Sequence, residues 1–129
     1  LGDVTGQILI LLVLLQIKHM FADFYLQTPR MLSGRETYVH LGRAEHAGVH
    51  ALGSMIVFVL MGTPVLLTLL IVAAEWIVHF HIDWAKARWS MCKQHTPSEA
   101  GYWRATGADQ FGHQLTYLAM AWAWWMWAA

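Results

Sequence analysis

The sequence predicts an all-α integral membrane protein, a four-helix bundle with both termini on the periplasmic side. Composition, four apolar stretches of spanning length and a one-sided placement of cations carry that expectation. Of the 129 residues, 57% are hydrophobic and 12% charged, against about 25% charged in soluble domains. Residues 8–17 and 55–74 contain no charge, whereas soluble helices scatter charge along one face. The chain reads as one domain, residues 1–129, in the lipid bilayer of the bacterial inner membrane.

Crossing the hydrocarbon core takes about 20 helical residues, and the sequence offers four such stretches: 4–27, 45–61, 65–87 and 108–127. Thr28-Pro29 closes the first, because proline disfavours helix in the residue before it. Gly62-Thr63-Pro64 is a tight turn with proline near the next helix start, so the second and third spans form an antiparallel hairpin. Residues 29–44 and 88–107 are loops. Within the second, Thr96-Pro97-Ser98-Glu99 fits a capping box with proline at the first helical position, which predicts a short interfacial helix carrying Trp103 and Arg104.

Lys and Arg in short loops stay cytoplasmic. Arg30, Arg35 and Arg43 fall in the first loop and Arg88, Lys93 and Arg104 in the second. Lys18 and Lys86, near the ends of the first and third spans, are expected to snorkel to that same surface. The N-terminus, the Gly62 turn and the C-terminus carry no cation. Trp122, Trp124, Trp125 and Trp127 then form an outer aromatic belt and Trp84, Trp89 and Trp103 an inner one.

A formal net charge of zero argues against nucleic acid as a partner. With Cys92 alone, neither an intramolecular disulfide nor a cysteine zinc motif is possible. Asp3 stands where a signal peptide would be basic, so the first apolar run is read as a retained span. The chain opens on Leu1 rather than Met, and a short leader or tail is expected beyond it.

Ionisable groups inside a bilayer are costly and need a partner or a purpose. The first span carries His19-x-x-x-Asp23-x-x-x-Gln27, the second His46-x-x-x-His50, the third Glu75-x-x-x-His79-x-x-x-Asp83 and the fourth Asp109-x-x-x-His113. A spacing of four turns a helical side chain by only about 40°, so each set shares a face. The sets come late in inward-running spans and early in outward-running ones, so all four converge in the cytoplasmic half. Bundle cores assemble metal sites in this way. Imidazole with carboxylate suits Zn, Fe or Mn. A hydrogen-bonded network that only registers the helices is the competing reading, yet Ser, Thr or Asn would serve it at lower insertion cost.

Ferritin-like sites use Glu-x-x-His, and a zincin needs Glu after its first His. Here the spacing is Glu75-x-x-x-His79, and Ala47 follows His46. The nearest generic match is a histidine-box membrane metal site with carboxylates replacing several imidazoles. Lys86 is expected to pair with Asp83, three residues earlier, with holding an anionic substrate such as phosphate as the less favoured reading. Gln110 and Gln114 are expected to orient ligands or bridge helices. His40, His81 and His95 are given no ligand role.

At Lys18-His19-x-Phe21-Ala22-Asp23-x-x-Leu26-Gln27-Thr28, His46-Ala47-x-x-His50-Ala51, Glu75-x-x-x-His79-x-x-x-Asp83-x-x-Lys86 and Asp109-Gln110-x-x-His113-Gln114, the chain resembles a family of small bacterial integral membrane proteins grouped as a domain of unknown function. The resemblance covers nearly the whole chain except the Trp-rich end. It implies an all-helical membrane protein and brings no activity with it.

The leading functional expectation is a membrane-embedded metal-binding protein, with metal-dependent hydrolysis of a lipid or amphiphile at the cytoplasmic interface as its enzymatic form. His19, Asp23, His46, His50, His79, Asp83 and His113 are the expected ligands, with Glu75 or Asp109 as general base. The alternative is a non-enzymatic accessory subunit of a larger membrane complex, partnered by other membrane subunits. An ion or proton relay ranks third, because the apolar outer half offers no exit.

Overall fold

A computed structural model describes residues 2–129, which form helices α1 (Val4–Phe24), α2 (Pro29–Leu32), α3 (Leu41–Leu60), α4 (Val65–Lys93) and α5 (Ala100–Trp127). No strand occurs among the described residues. The four long helices pack as a closed ring in chain order, α1 on α3, α3 on α4, α4 on α5 and α5 on α1. At one end Trp124 donates from its indole nitrogen to Thr63 Oγ1 at 2.9 Å, which ties the end of α5 to the α3–α4 turn.

Local chemistry sets the boundaries, and several differ from those expected. The Asp3 side chain caps α1 by accepting from the Gly6 amide at 2.7 Å. Helix α1 ends at Phe24 rather than Gln27, since the amides of both Tyr25 and Leu26 close onto the Phe21 carbonyl. Thr28 then caps the single-turn α2, with Pro29 at its first position, where a missing N–H costs nothing. Helix α3 starts at Leu41, four residues before the expected 45, because the His40 imidazole caps it by accepting from the Gly42 amide. Arg30 forks onto Glu45 and fastens α2 to α3.

The second loop is shorter than expected. Helix α4 runs on to Lys93, where Gln94 in the left-handed region (φ 52°) ends it. No separate interfacial helix exists; residues 100–127 are one helix through Gly107, a glycine that costs about 1 kcal/mol in a helix without breaking it. The expected capping box forms only a turn ahead of that helix. Thr96 gives its amide and hydroxyl to Glu99 at 3.3 and 3.0 Å, and His95 Nδ1 lies 2.9 Å from the same carboxylate. Those contacts, His95 foremost, hold the Glu99 carboxyl below its ordinary pKa.

Interior and surface divide unusually. Leu11, Leu15, Phe58, Ile71, Met120 and Trp124 form an apolar core, next to a buried polar layer of Lys18, His19, His46, His50, Glu75, His79, Asp109 and His113. Large apolar side chains face outward on every long helix, among them Leu9 and Val13, Leu52 and Ile56, Leu66 and Ile77, and Phe111 and Trp122. Two helices, Val4–Phe24 and Val65–Lys93, are long and apolar enough to cross a membrane.

Candidate metal centre

Each expected pair brings its imidazole to the bundle axis. Asp23 on α1 is the hub for three rings. Its Oδ1 accepts from His50 Nε2 at 2.8 Å and lies 3.3 Å from His46 Nε2, while Oδ2 is 3.1 Å from His19 Nε2. Asp83 on α4 is a second hub, with His113 Nε2 3.1 Å from Oδ1, and His79 and His46 Nε2 at 2.9 and 3.5 Å from Oδ2. The His50 and His79 rings stand 4.0 Å apart and those of His79 and His113 4.2 Å. A continuous stack of imidazoles therefore joins α3, α4 and α5.

Two donor groups with metal-compatible spacing result: Asp23, His46, His50 and His79, and His79, Asp83 and His113. In each, one ligand atom per residue lies within 4.8 Å of the others. Tetrahedral ligands at Zn–N bonds of 2.0–2.1 Å sit about 3.4 Å apart, a spacing that the His46–Asp23 contact already has. His79 belongs to both groups. Its Nε2 is buried and, although 2.9 Å from Asp83 Oδ2, makes no well-formed hydrogen bond. Buried polar atoms are nearly always paired, and an orphan calls for an ion or a water.

The outer contacts assign some tautomers. Lys18 Nζ approaches His50 Nδ1 at 3.4 Å; with that nitrogen accepting, Nε2 carries the proton given to Asp23. A cation held at His50 Nε2 would displace this proton, as metal binding to histidine generally does. Tyr117 holds His19 at Nδ1 through its hydroxyl (2.9 Å), and Gln110 Oε1 lies 3.2 Å from His19 Nε2. Gln114 instead exchanges hydrogen bonds with Gln16 on α1, at 2.7 and 3.2 Å. One amide thus contacts His19 and the other bridges helices.

The expected residues come together with clear differences of rank. His19 flanks the first donor group through Asp23. Asp109 stands behind the second, 3.4 Å from His113 Nε2, with its buried Oδ1 otherwise without a hydrogen bond. Glu75 lies outside both groups, engaged by Lys18 at 2.5 Å. Lys18 does not snorkel; it is buried and gives further hydrogen bonds to Tyr117 Oη (3.0 Å) and His50. Lys86 pairs not with Asp83 but with Asp109 on α5, at 3.7 Å, while the Asp83 carboxylate is taken up by His79 and His113. His40, His81 and His95 stay outside the centre: His81 meets the Tyr38 hydroxyl at 2.8 Å, and the other two serve the caps and turns described above.

Two further residues pack against the centre without being among those the sequence singles out. Tyr117 follows His113 by one turn and continues its face, a spacing as legible as the others. Arg43 precedes His46 by three residues and clamps the carbonyls of Thr37, Tyr38 and Phe80, closing the loop over the centre. Beneath that loop lies a cavity of about 460 Å³, with Asp23, His46, Asp83 and Asp109 in its wall.

The sequence family described as "Protein of unknown function (DUF3307)" matches residues 10–129. The chain belongs to that family. Among curated proteins and among solved structures, nothing matches it. DUF3307 membership agrees with the resemblance to a family of unknown function; the matched segment runs through the Trp-rich end, which that resemblance leaves out, and holds every residue of both donor groups.

Proposed function

We propose that the chain is a four-span protein of the bacterial inner membrane that binds a divalent transition metal, Zn, Fe or Mn, at the cytoplasmic end of its bundle and uses it in hydrolysis. The observation that carries the metal reading is His79, a buried imidazole shared by two donor groups and left without a hydrogen-bond partner.

Burial supports the membrane reading. Carboxylates, histidines and a lysine are inside, while Leu, Ile, Val, Phe and Trp cover the outside, a contiguous apolar exterior far beyond what a soluble monomer carries. The most polar members of α3 and α5 that face the bundle, His46, His50, Ser54, Asp109 and His113, are buried. The cations other than the buried Lys18 favour the end holding α2 and the α4–α5 turn as the cytoplasmic one.

When bound, a divalent ion lowers the pKa of a coordinated water and polarises an ester. The ligands in this reading are His46, His50, His79 and Asp23, with Asp83 and His113 completing the second group and His19 holding Asp23. Asp109 is the general base, since it borders the cavity and has one oxygen without a hydrogen bond. Glu75 is in the wall of neither the cavity nor the α4–α5 groove and is engaged by Lys18, so its role here is to neutralise that lysine.

The test uses detergent-purified protein stripped with chelator and titrated with Zn²⁺, Fe²⁺ or Mn²⁺, followed by turnover of a chromogenic ester in mixed micelles. Saturable uptake near stoichiometry and metal-dependent turnover are expected. Uptake without turnover would contradict hydrolysis, and no uptake would contradict the metal reading itself.

A further inference from the structure

Lys86 sits where two differently built spaces meet. On one side is the polar cavity of about 460 Å³ beside the donor groups; on the other, between α4 and α5, is a groove of about 570 Å³. Small residues, Ala85, Ala105, Ala108 and Gly112, form much of the groove, and apolar atoms make up most of its surface. Only Lys86 and Asp109 belong to the walls of both. At 3.7 Å their contact is too long for a hydrogen bond, and among the described residues the Lys86 ammonium makes none. Its three donors are open at the seam between a polar chamber and an apolar slot.

Charge narrows the ligand class. Arg35, Arg43 and Lys86 line the cavity, as do the carboxylates of Asp23, Glu36, Asp83 and Asp109. With neutral histidines the chamber is one charge negative, and a divalent ion makes it one charge positive. An anion is then attracted both by the metal and by Lys86, a point charge suited to phosphate. Free phosphate would leave the adjoining groove without a role. An acyl or alkyl chain fits it, since a groove floored by alanine and glycine admits a methylene chain between two helices.

We propose that the site takes an anionic amphiphile with a phosphate headgroup, the phosphate in the polar cavity beside Lys86 and the chain in the α4–α5 groove. This rests on the metal reading above and names its substrate class. Lys86 is the specificity residue, and Ala105, Ala108 and Gly112 set the room for the chain. A Cβ at Gly112 would come within 3.3 Å of Ile82 Cδ1.

Calorimetric titration of the zinc-treated full chain in phosphatidylcholine nanodiscs tests this, with inorganic phosphate and oleoyl lysophosphatidate as probes and zinc content measured on the same samples. Lysophosphatidate is expected to bind at least tenfold more tightly than phosphate. Lys86→Met should weaken both about tenfold, with recovery in Lys86→Arg. Ala108→Leu should weaken lysophosphatidate alone. Equal affinity for the two probes, or a Lys86→Met protein that binds both as wild type does, would overturn the proposal. A zinc-loaded protein that ignores both probes overturns it while leaving the metal reading intact. A zinc-free protein that still binds lysophosphatidate through Lys86 upholds it and overturns the metal reading.

Discussion

At position 18 a lysine stands in the interior of an apolar helix, and its ammonium finds Glu75 at 2.5 Å, Tyr117 at 3.0 Å and His50 at 3.4 Å. Both partners of this ion pair are almost wholly buried, so neither charge has water to fall back on. Removing one leaves the other uncompensated, which typically costs about 3–5 kcal/mol, whereas replacing both with apolar residues of similar size is close to neutral. Lys18→Met and Glu75→Gln should each lower the thermal midpoint in detergent, and Lys18→Met with Glu75→Leu should recover most of the loss. A double variant as unstable as the singles would show that the pair does more than neutralise itself. His79 tests the centre at the same scale. As the residue common to both donor groups, His79→Ala should weaken Zn²⁺ binding by more than about 100-fold, beyond the roughly 10–100-fold typical of an outer-shell loss. His81→Ala, two residues on and outside the centre, should leave binding unchanged, as calorimetry would report.

Among the helices, α1 and α3 meet closely at Gly53, where a Cβ would lie 2.5 Å from Lys18 Cγ and 3.0 Å from Cδ. Those atoms are near the lysine backbone and have little freedom to move. Gly53→Val should therefore force the helices apart and displace Lys18 from Glu75, at a cost of about 1–3 kcal/mol of the overpacking kind, readable as a lower thermal midpoint. Wild-type stability in that variant would mean the two helices are not held at this separation. The helices and the facing of their pairs were legible because a spacing of four fixes direction without any knowledge of neighbours: His19 with Asp23, His46 with His50 and His79 with Asp83 all point inward. Partnership between helices was not. Lys18 and Glu75 lie 57 residues apart, and no local pattern says that a lysine near a helix end turns into the bundle instead of reaching for the surface. Lys86 was misassigned for the same reason, since its true partner Asp109 is on another helix. The reach of α4 and α5 beyond the expected spans was hidden too, because Gly107 reads as a break when neighbouring helical residues are ignored.

For the whole molecule, burial is turned outside in, with the acids and imidazoles central and the aliphatic girdle outermost. Helices α4 and α5 have 29 and 28 residues, about 42–44 Å at 1.5 Å per residue, longer than the roughly 30 Å hydrocarbon core. In the proposed four-span arrangement their facing ends project beyond it, around the exposed Cys92. A membrane-impermeant maleimide should label Cys92 in inverted inner-membrane vesicles and not in intact spheroplasts. An Ala129→Cys variant lacking Cys92 should show the opposite pattern, and labelling of both from one side would contradict the four-span topology. The central claim is that the convergent histidines and aspartates bind a metal ion. Its most direct test is elemental analysis of the full chain purified without chelator, combined with X-ray absorption at the edge of whichever metal is found. The account predicts one or two equivalents of Zn, Fe or Mn in a nitrogen and oxygen shell that His79→Ala empties. Trace metal only, or a full complement that survives His79→Ala, would contradict it.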